Sequence, residues 1–267
     1  QEEVMVFVNS IAEVVHSVTD KFAGAANKNI GDAFLLVWKV PDDSVTEILD
    51  GQLEISTNKF SQNLADCALI TFLKINAKIN REPVLLKYRE NVNLNARLPN
   101  YKVKMGFGLH VGWGIDGAIG TEFNIDGSYL SPNVNMASRL EAATKQYGVP
   151  LLFSGEVYEM LSDHLQDRSR LIDIVTVKGP IKPIELYTVD MDVEDISSAK
   201  DKTYIPKDHR RVRQLQKKLN TKDLLDAGEI FTLLETDKEL LHILRNRNEE
   251  FEKAWFDGFN AYIDGDW

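Results

Sequence analysis

The chain has 267 residues, 43% of them hydrophobic, and a formal net charge of −10. That length suits one large domain or a domain with an appendage, and the acidic balance excludes a general nucleic-acid binder, which needs a basic face for phosphates. The single cysteine, Cys67, excludes a disulfide framework and a cysteine metal cluster, and apolar runs such as AFLLVW are too short to span a bilayer.

The chain opens at Gln1 inside an amphipathic pattern with no strand before it and no visible signal peptide, so the natural protein is expected to extend upstream. Val4, Phe7, Val8, Ile11, Val15, Val18 and Phe22 recur at three- and four-residue spacing and predict a helix ending near Gly24. In AANKNIGDAFLLVWKV, β-forming residues flank a Gly-Asp pair, which predicts a hairpin with Gly31 and Asp32 at its tip. Leu64, Ala68, Leu69, Phe72, Leu73 and Ile79 give a second amphipathic helix, with Cys67 in its core face. Residues 81–100 lack a clear period, hold Pro83 and Pro99, and read as a loop insertion.

From Tyr101, YKVKMGFGLHVGWGIDGAIG reads as two strands around a glycine-rich turn, with Val103, Met105, Phe107 and Leu109 alternating along the first. Gly112, Gly114 and Gly117 satisfy G-x-G-x-x-G, but the next piece is strand-like rather than helical, so hairpin glycines explain them better than a dinucleotide site. A helix then begins near Asn133. Ser131 can cap it, Pro132 suits its first position, and Ala137, Leu140, Ala142 and Ala143 favour it. Asn135 and Arg139, four residues apart, share one face of its first two turns, where free N–H groups and the helix dipole already favour an anion. The sequence thus offers a phosphate seat.

VPLLFS reads as a short strand, Ser154 opens another helix, and alternation returns in RLIDIVTVKG and PIELYTVD. The sum is an α+β architecture, a mixed or antiparallel sheet with helices on one face. Beyond about residue 190 a polar, basic run precedes a helical pattern, so residues 1–190 and 191–267 read as a domain and a basic linker with a helical appendage. The run reads as a solvated face, and His16, His110, His164 and His242 show no metal-ligand spacing. The final phrase FNAYIDGDW makes the chain look like a segment of a larger protein.

With NKNIGDAF, LHVGWGIDGAIG, VNMASRLEAA and VKG in this order, residues 1–190 resemble the catalytic domain of class III adenylyl and guanylyl cyclases. SYLSPNVNMASRLEAATKQYG and NKNIGDAFLLVW look most like cyclase domains of large protist proteins. The resemblance implies a ferredoxin-like α+β domain lacking its first strand here, paired head to tail as a homodimer or heterodimer, with ATP cyclised at the dimer interface. It implies a two-metal site for Mg²⁺ or Mn²⁺, with Asp32 matching the second metal-binding aspartate and the first expected upstream of Gln1. Arg139 matches the arginine that stabilises charge on the α-phosphate and Asn135 the asparagine that orients the ribose. Lys178 in VKG matches a lysine on the outer phosphates, although Pro180 replaces the family's second lysine of that turn.

For base choice, adenine presents an acceptor at ring nitrogen 1 and guanine a donor, so a lysine favours adenine. Lys28 stands where adenylyl cyclases carry lysine and guanylyl cyclases glutamate. Ser128 takes the partner position, with Asp126 the alternative if the loop is shifted. The reading is an adenylyl cyclase domain that makes cyclic AMP and pyrophosphate. The rivals are a guanylyl cyclase and an inactive cyclase-homology domain serving dimerisation or scaffolding. No nucleic-acid partner and no membrane span are expected in this segment; by analogy the parent sits at the cytoplasmic side of a membrane or in a cilium.

Overall fold

The computed structural model describes residues 2–48, 52–56, 58–121, 124–176, 183–192, 223–245 and 249–265. Helix α1 (Glu2–Lys21) buries Ile11, Val15 and Val18 of the predicted face, and Val14 beside them, leaves Val4 exposed, and ends before Ala23, whose φ of 58° turns the chain back. Strands β1 (Ala25–Ile30) and β2 (Ala33–Val37) pair antiparallel with Ile30 opposite Ala33, so Gly31 and Asp32 are the two turn residues. Gly31 has φ of 65°, a value glycine adopts without a Cβ clash.

A second hairpin, β3 (Val45–Ile48) with β4 (Gln52–Ile55), was not legible in the sequence. Helix α2 (Lys59–Ile79) starts earlier than its apolar period suggests, because Asn58 caps it by accepting from Phe60 and Ser61 N–H groups. Residues 81–100 are not a plain loop. They form the short helices α3 (Pro83–Leu86), with Pro83 in its first turn, and α4 (Val92–Arg97), capped by Asn91.

The main sheet runs β5-β8-β10-β9, from β5 (Phe107–Leu109), β8 (Leu151–Ser154), β9 (Ser169–Val175) and β10 (Ile184–Val189). β5 and β8 are parallel and the other pairs antiparallel, giving the mixed sheet expected. Val103 and Met105 pack beside the core with Leu109, but only Phe107–Leu109 find a strand partner. β6 (Ile115–Thr121) and β7 (Asn124–Leu130) form a separate hairpin. It leads through Ser131 into α5 (Pro132–Tyr147), which Gly148 ends at φ of 67°. The short helices α6 (Gly155–Met160) and α7 (Asp163–Gln166) follow β8.

Helices cover both faces of this sheet, not one. Leu151, Phe153 and Val189 join α1 and α2 in one buried cluster, whereas Leu152, Ile184 and Leu186 join Met136 and Leu140 of α5 in a second. Neighbouring strand residues point to opposite faces, so the alternation in β8 assigns the two layers. Residues 223–227, the turn Ile230–Thr232 and, past α8 (Leu233–Thr236), α9 (Lys238–Ile243) lie along α2, with Ile230, Leu234, Leu240 and Ile243 in the first cluster. Helix α10 (Glu249–Asp264) reaches the β9 edge, where the Trp255 indole N–H donates to the Leu171 carbonyl at 2.8 Å.

Candidate active site

Helix α5 is seated by its own first turn. Ser131 sits extended at φ of −167° and accepts the Asn133 N–H at 3.0 Å, while its hydroxyl donates to the Trp113 carbonyl in the glycine loop. The Asn133 side-chain N–H donates to that same carbonyl at 3.0 Å. A Cβ on Gly112 would fall 2.2 Å from the Asn133 amide, so glycine is what lets the loop close over the helix start. The cap, the proline and the start near Asn133 expected from the sequence are all in place.

Beyond that turn, Met136, Leu140 and Thr144 are buried, while Asn135 and Arg139 lie on the exposed side. A spacing of four keeps these two polar groups on one face beside the positive end of the helix dipole. That face can hold an anionic group, with the guanidinium as a fixed fork. Asn135 and Arg139 are therefore brought together as their spacing predicts.

Asp32 is exposed at the tip of the β1–β2 turn, and its carboxylate is an oxygen donor of the kind Mg²⁺ takes. Among the described residues no three His, Cys, Asp or Glu side chains gather at one point, so Asp32 would supply one ligand of a larger set. Lys28 is half-buried on β1 opposite Leu35, and β1 lies against β7. Ser128, also half-buried, stands opposite Gly117 across the β6–β7 hairpin, and Asp126 opposite Ile119. Lys178 and Pro180 lie outside the described residues.

A family model for the adenylate and guanylate cyclase catalytic domain matches residues 1–191. The chain belongs to this cyclase family. It is 30% identical over 191 residues to the adenylate cyclase of Anabaena cylindrica, a match covering 70% of this chain and 32% of that protein. It is 22% identical over 188 residues to adenylate cyclase 1 of Rhizobium meliloti (strain 1021), covering 70% of this chain and 24% of that one. The chain thus spans about a third or less of these cyclases' length. Among solved structures, a bacterial light-regulated adenylyl cyclase superposes with a TM-score of 0.50 at 22% identity, covering 84% of this chain and 51% of that one. The adenylyl cyclase CyaB from P. aeruginosa gives a TM-score of 0.51 at 19% identity, covering 71% and 83%. The cyclase fold is the α+β architecture described above.

One group whose role sequence reading passed over lies beside this candidate site. His110 follows β5 directly, and its ring nitrogens meet Ser154 Oγ at 2.8 Å and Asn133 Oδ1 at 3.3 Å. Burial lowers its pKa, against the opposing pull of Glu156 and Asn133, so the ring is neutral at pH 7. Its position at a strand end beside the glycine loop was the available signal. The absence of metal-ligand spacing hid it.

Proposed function

We propose that this chain is the catalytic domain of an adenylyl cyclase that converts ATP to 3′,5′-cyclic AMP and pyrophosphate. The observation that carries the reading is the Asn135–Arg139 face. Two polar side chains stand on the exposed side of a helix whose opposite side is core, at its capped N-terminal end, inside a cyclase-family domain. ATP rather than GTP is supported by Lys28 at the base-reading position and by the adenylate cyclase names of the relatives.

In the reaction, the ribose 3′-oxygen forms a bond to the α-phosphorus while the bond to the departing pyrophosphate oxygen breaks. Asn135 holds the ribose so that the 3′-hydroxyl faces the phosphorus. Arg139 offers its fork to the charge that grows on the α-phosphate oxygens, which counts for more in the transition state than in the ground state. Lys178 pairs with the outer phosphates, and Lys28 with Ser128 or Asp126 reads the adenine edge. A Mg²⁺ or Mn²⁺ pair bound through Asp32 and a carboxylate upstream of Gln1 would lower the hydroxyl pKa and offset phosphate charge.

The second half-site comes from another cyclase domain, identical or divergent. The β6–β7 hairpin supports such pairing, because Ile115, Ile125 and Leu130 and the adjacent Trp113 are each at least half exposed. Residues 1–190 are read as the catalytic unit and 191–267 as a basic linker with a helical appendage. Among the described residues no helix is long and apolar enough to cross a membrane, and a cytoplasmic-side location is proposed by analogy.

The test is cyclic-nucleotide production by the full-length protein with ATP or GTP and Mg²⁺ or Mn²⁺, beside an Asp32→Ala control. Cyclic AMP that disappears in the control is expected. Product from GTP alone would replace the reading with a guanylyl cyclase. A folded dimer that yields no product would replace it with a scaffold or with an obligatory heterodimer that lacks its divergent partner.

A further inference from the structure

With a neutral His110 ring the hydrogen bonds around it have one consistent direction, while the Glu156 carboxylate stays 3.9 Å from Nδ1, beyond hydrogen-bond reach. The Trp113 carbonyl can only accept, so the Asn133 group facing it at 3.0 Å is the amide NH₂, and the Asn133 oxygen faces His110. That oxygen can only accept, so the His110 Nε2 opposite it carries the proton. In the neutral ring Nδ1 is then an acceptor, and the Ser154 hydroxyl donates to it. The result is a one-way relay from Ser154, where β8 meets α6, through the imidazole and the Asn133 amide to the glycine loop. His110 is almost wholly buried, with its side chain 7% exposed, so this orientation is not averaged by water.

We propose that His110 is a positioning residue of the cyclase site. As a neutral imidazole protonated on Nε2 it fixes the first turn of α5, and through that turn it sets where Asn135 and Arg139 stand. Asn133 is two residues before Asn135 and six before Arg139, and among the described residues no other side chain meets the Asn133 oxygen. Without that bond the Asn133 amide can rotate away from Trp113, and the helix start keeps only Ser131 to tie it to the loop. The inference rests on the cyclase reading for its consequence in turnover, but not for its consequence in helix anchoring.

The experiment compares His110→Gln, His110→Asn and Asn133→Ala. A glutamine amide nitrogen reaches the place of Nε2 and can still donate to Asn133, whereas an asparagine amide reaches only the place of Nδ1. In the full-length protein, His110→Asn and Asn133→Ala should lower kcat about ten- to a hundred-fold with the KM for ATP nearly unchanged, as small misplacements of catalytic groups do. His110→Gln should recover most of the loss, and the double variant His110→Asn/Asn133→Ala should be no worse than either single one. Hydrogen exchange in the 267-residue chain gives a readout independent of turnover: amides at the start of α5 should exchange faster in His110→Asn while the melting temperature stays close to wild type. Equal effects of Gln and Asn that simply follow the melting temperature would reduce His110 to a packing residue and overturn the proposal, as would unchanged exchange at the helix start. If the wild type makes no cyclic nucleotide, the cyclase reading fails, and the exchange result alone decides whether His110 anchors α5.

Discussion

Arg139 stands on the exposed side of α5, next to the buried Leu140, so shortening it to alanine opens no cavity and keeps a strong helix former. If its guanidinium meets the charge that develops on the α-phosphate, Arg139→Ala should cut turnover by about two orders of magnitude or more, with little change in melting temperature. Steady-state kinetics beside a thermal melt check this, and an unchanged rate would remove Arg139 from the mechanism. Asp66 is the opposite case, a buried carboxylate at 1% exposure that accepts the Ser162 N–H at 2.9 Å. Burial raises its pKa from 3.8 to about 6, with Ser162 and His164 pulling it partly back. The folded state therefore binds this proton more tightly than the unfolded chain. The associated stability is fully present below 3.8 and is lost as pH rises through about 6, so at pH 7.5 the fold holds an ionised carboxylate at a cost of up to about 3 kcal/mol. Asparagine keeps the acceptor oxygen without the charge. Asp66→Asn should raise the melting temperature at pH 7.5, and the gain should shrink at pH 5; a gain independent of pH would show that Asp66 is not the titrating group.

At the scale of elements, α5 lies on β5 almost backbone to backbone. A Cβ on Gly108 would sit 2.1 Å from the Ala137 carbonyl oxygen and 2.5 Å from the Glu141 nitrogen, both in the helix backbone, which cannot move aside as a side chain can. Gly108→Ala should therefore push α5 off the sheet, costing about 1–3 kcal/mol or more and also lowering turnover, because Asn135 and Arg139 move with the helix. Thermal denaturation with single-turnover kinetics measures both, and a stable, fully active variant would show that this close seat is not needed. The glycine loop shows what sequence can and cannot carry. Gly112 read as a hairpin residue, yet it and Gly108 of β5 serve close approach to α5, which no local pattern reveals. The Gly31-Asp32 turn and the start of α5 were legible because turn and cap chemistry are local. The Asn135–Arg139 face was legible for the same reason, since a spacing of four is enough to place it. The β3–β4 hairpin and the second helical layer were not, because strands this short carry too few residues to show a period. From the sequence His110 is weighed only as a metal ligand, and its hydrogen-bonding role was not legible because its partners are 23 and 44 residues away.

At the scale of the whole molecule, the family match ends at residue 191, but the packing does not. Asn63 near the start of α2 donates to the Leu225 carbonyl at 2.7 Å and accepts the Ile230 N–H at 3.1 Å. Near its end Lys74, only 5% exposed, meets Asp237 at 2.8 Å and also Glu239, and Glu239 in turn meets Arg81 at 3.0 Å. Burial alone would raise the Asp237 pKa, but the Lys74 ammonium and two backbone N–H groups more than offset that and hold it below its ordinary value. Such a network joins residues more than 150 positions apart, and removing one side of it leaves the other charge in a site built for a pair. Ile230, Leu234, Leu240 and Ile243 add burial, each about 1.5–3 kcal/mol before the cost of ordering the segment, against a total stability of about 5–15 kcal/mol for an ordinary domain. A chain ending at Asp192 should consequently melt well below the 267-residue chain, or aggregate through the uncovered side of α2. Lys74→Met in the intact chain should cost less than the truncation, because the apolar contacts remain and Asp237 and Glu239, at 19% and 24% exposure, can still reach water. Thermal melts with size-exclusion chromatography on the three proteins decide the matter. If the truncated chain melted with the intact one, the cyclase domain would be self-sufficient and the segment along α2 a mere passenger. If it does not, the piece that follows the family boundary is a structural part of the domain, and a deletion at residue 191 meant to isolate the catalytic unit would remove part of its core.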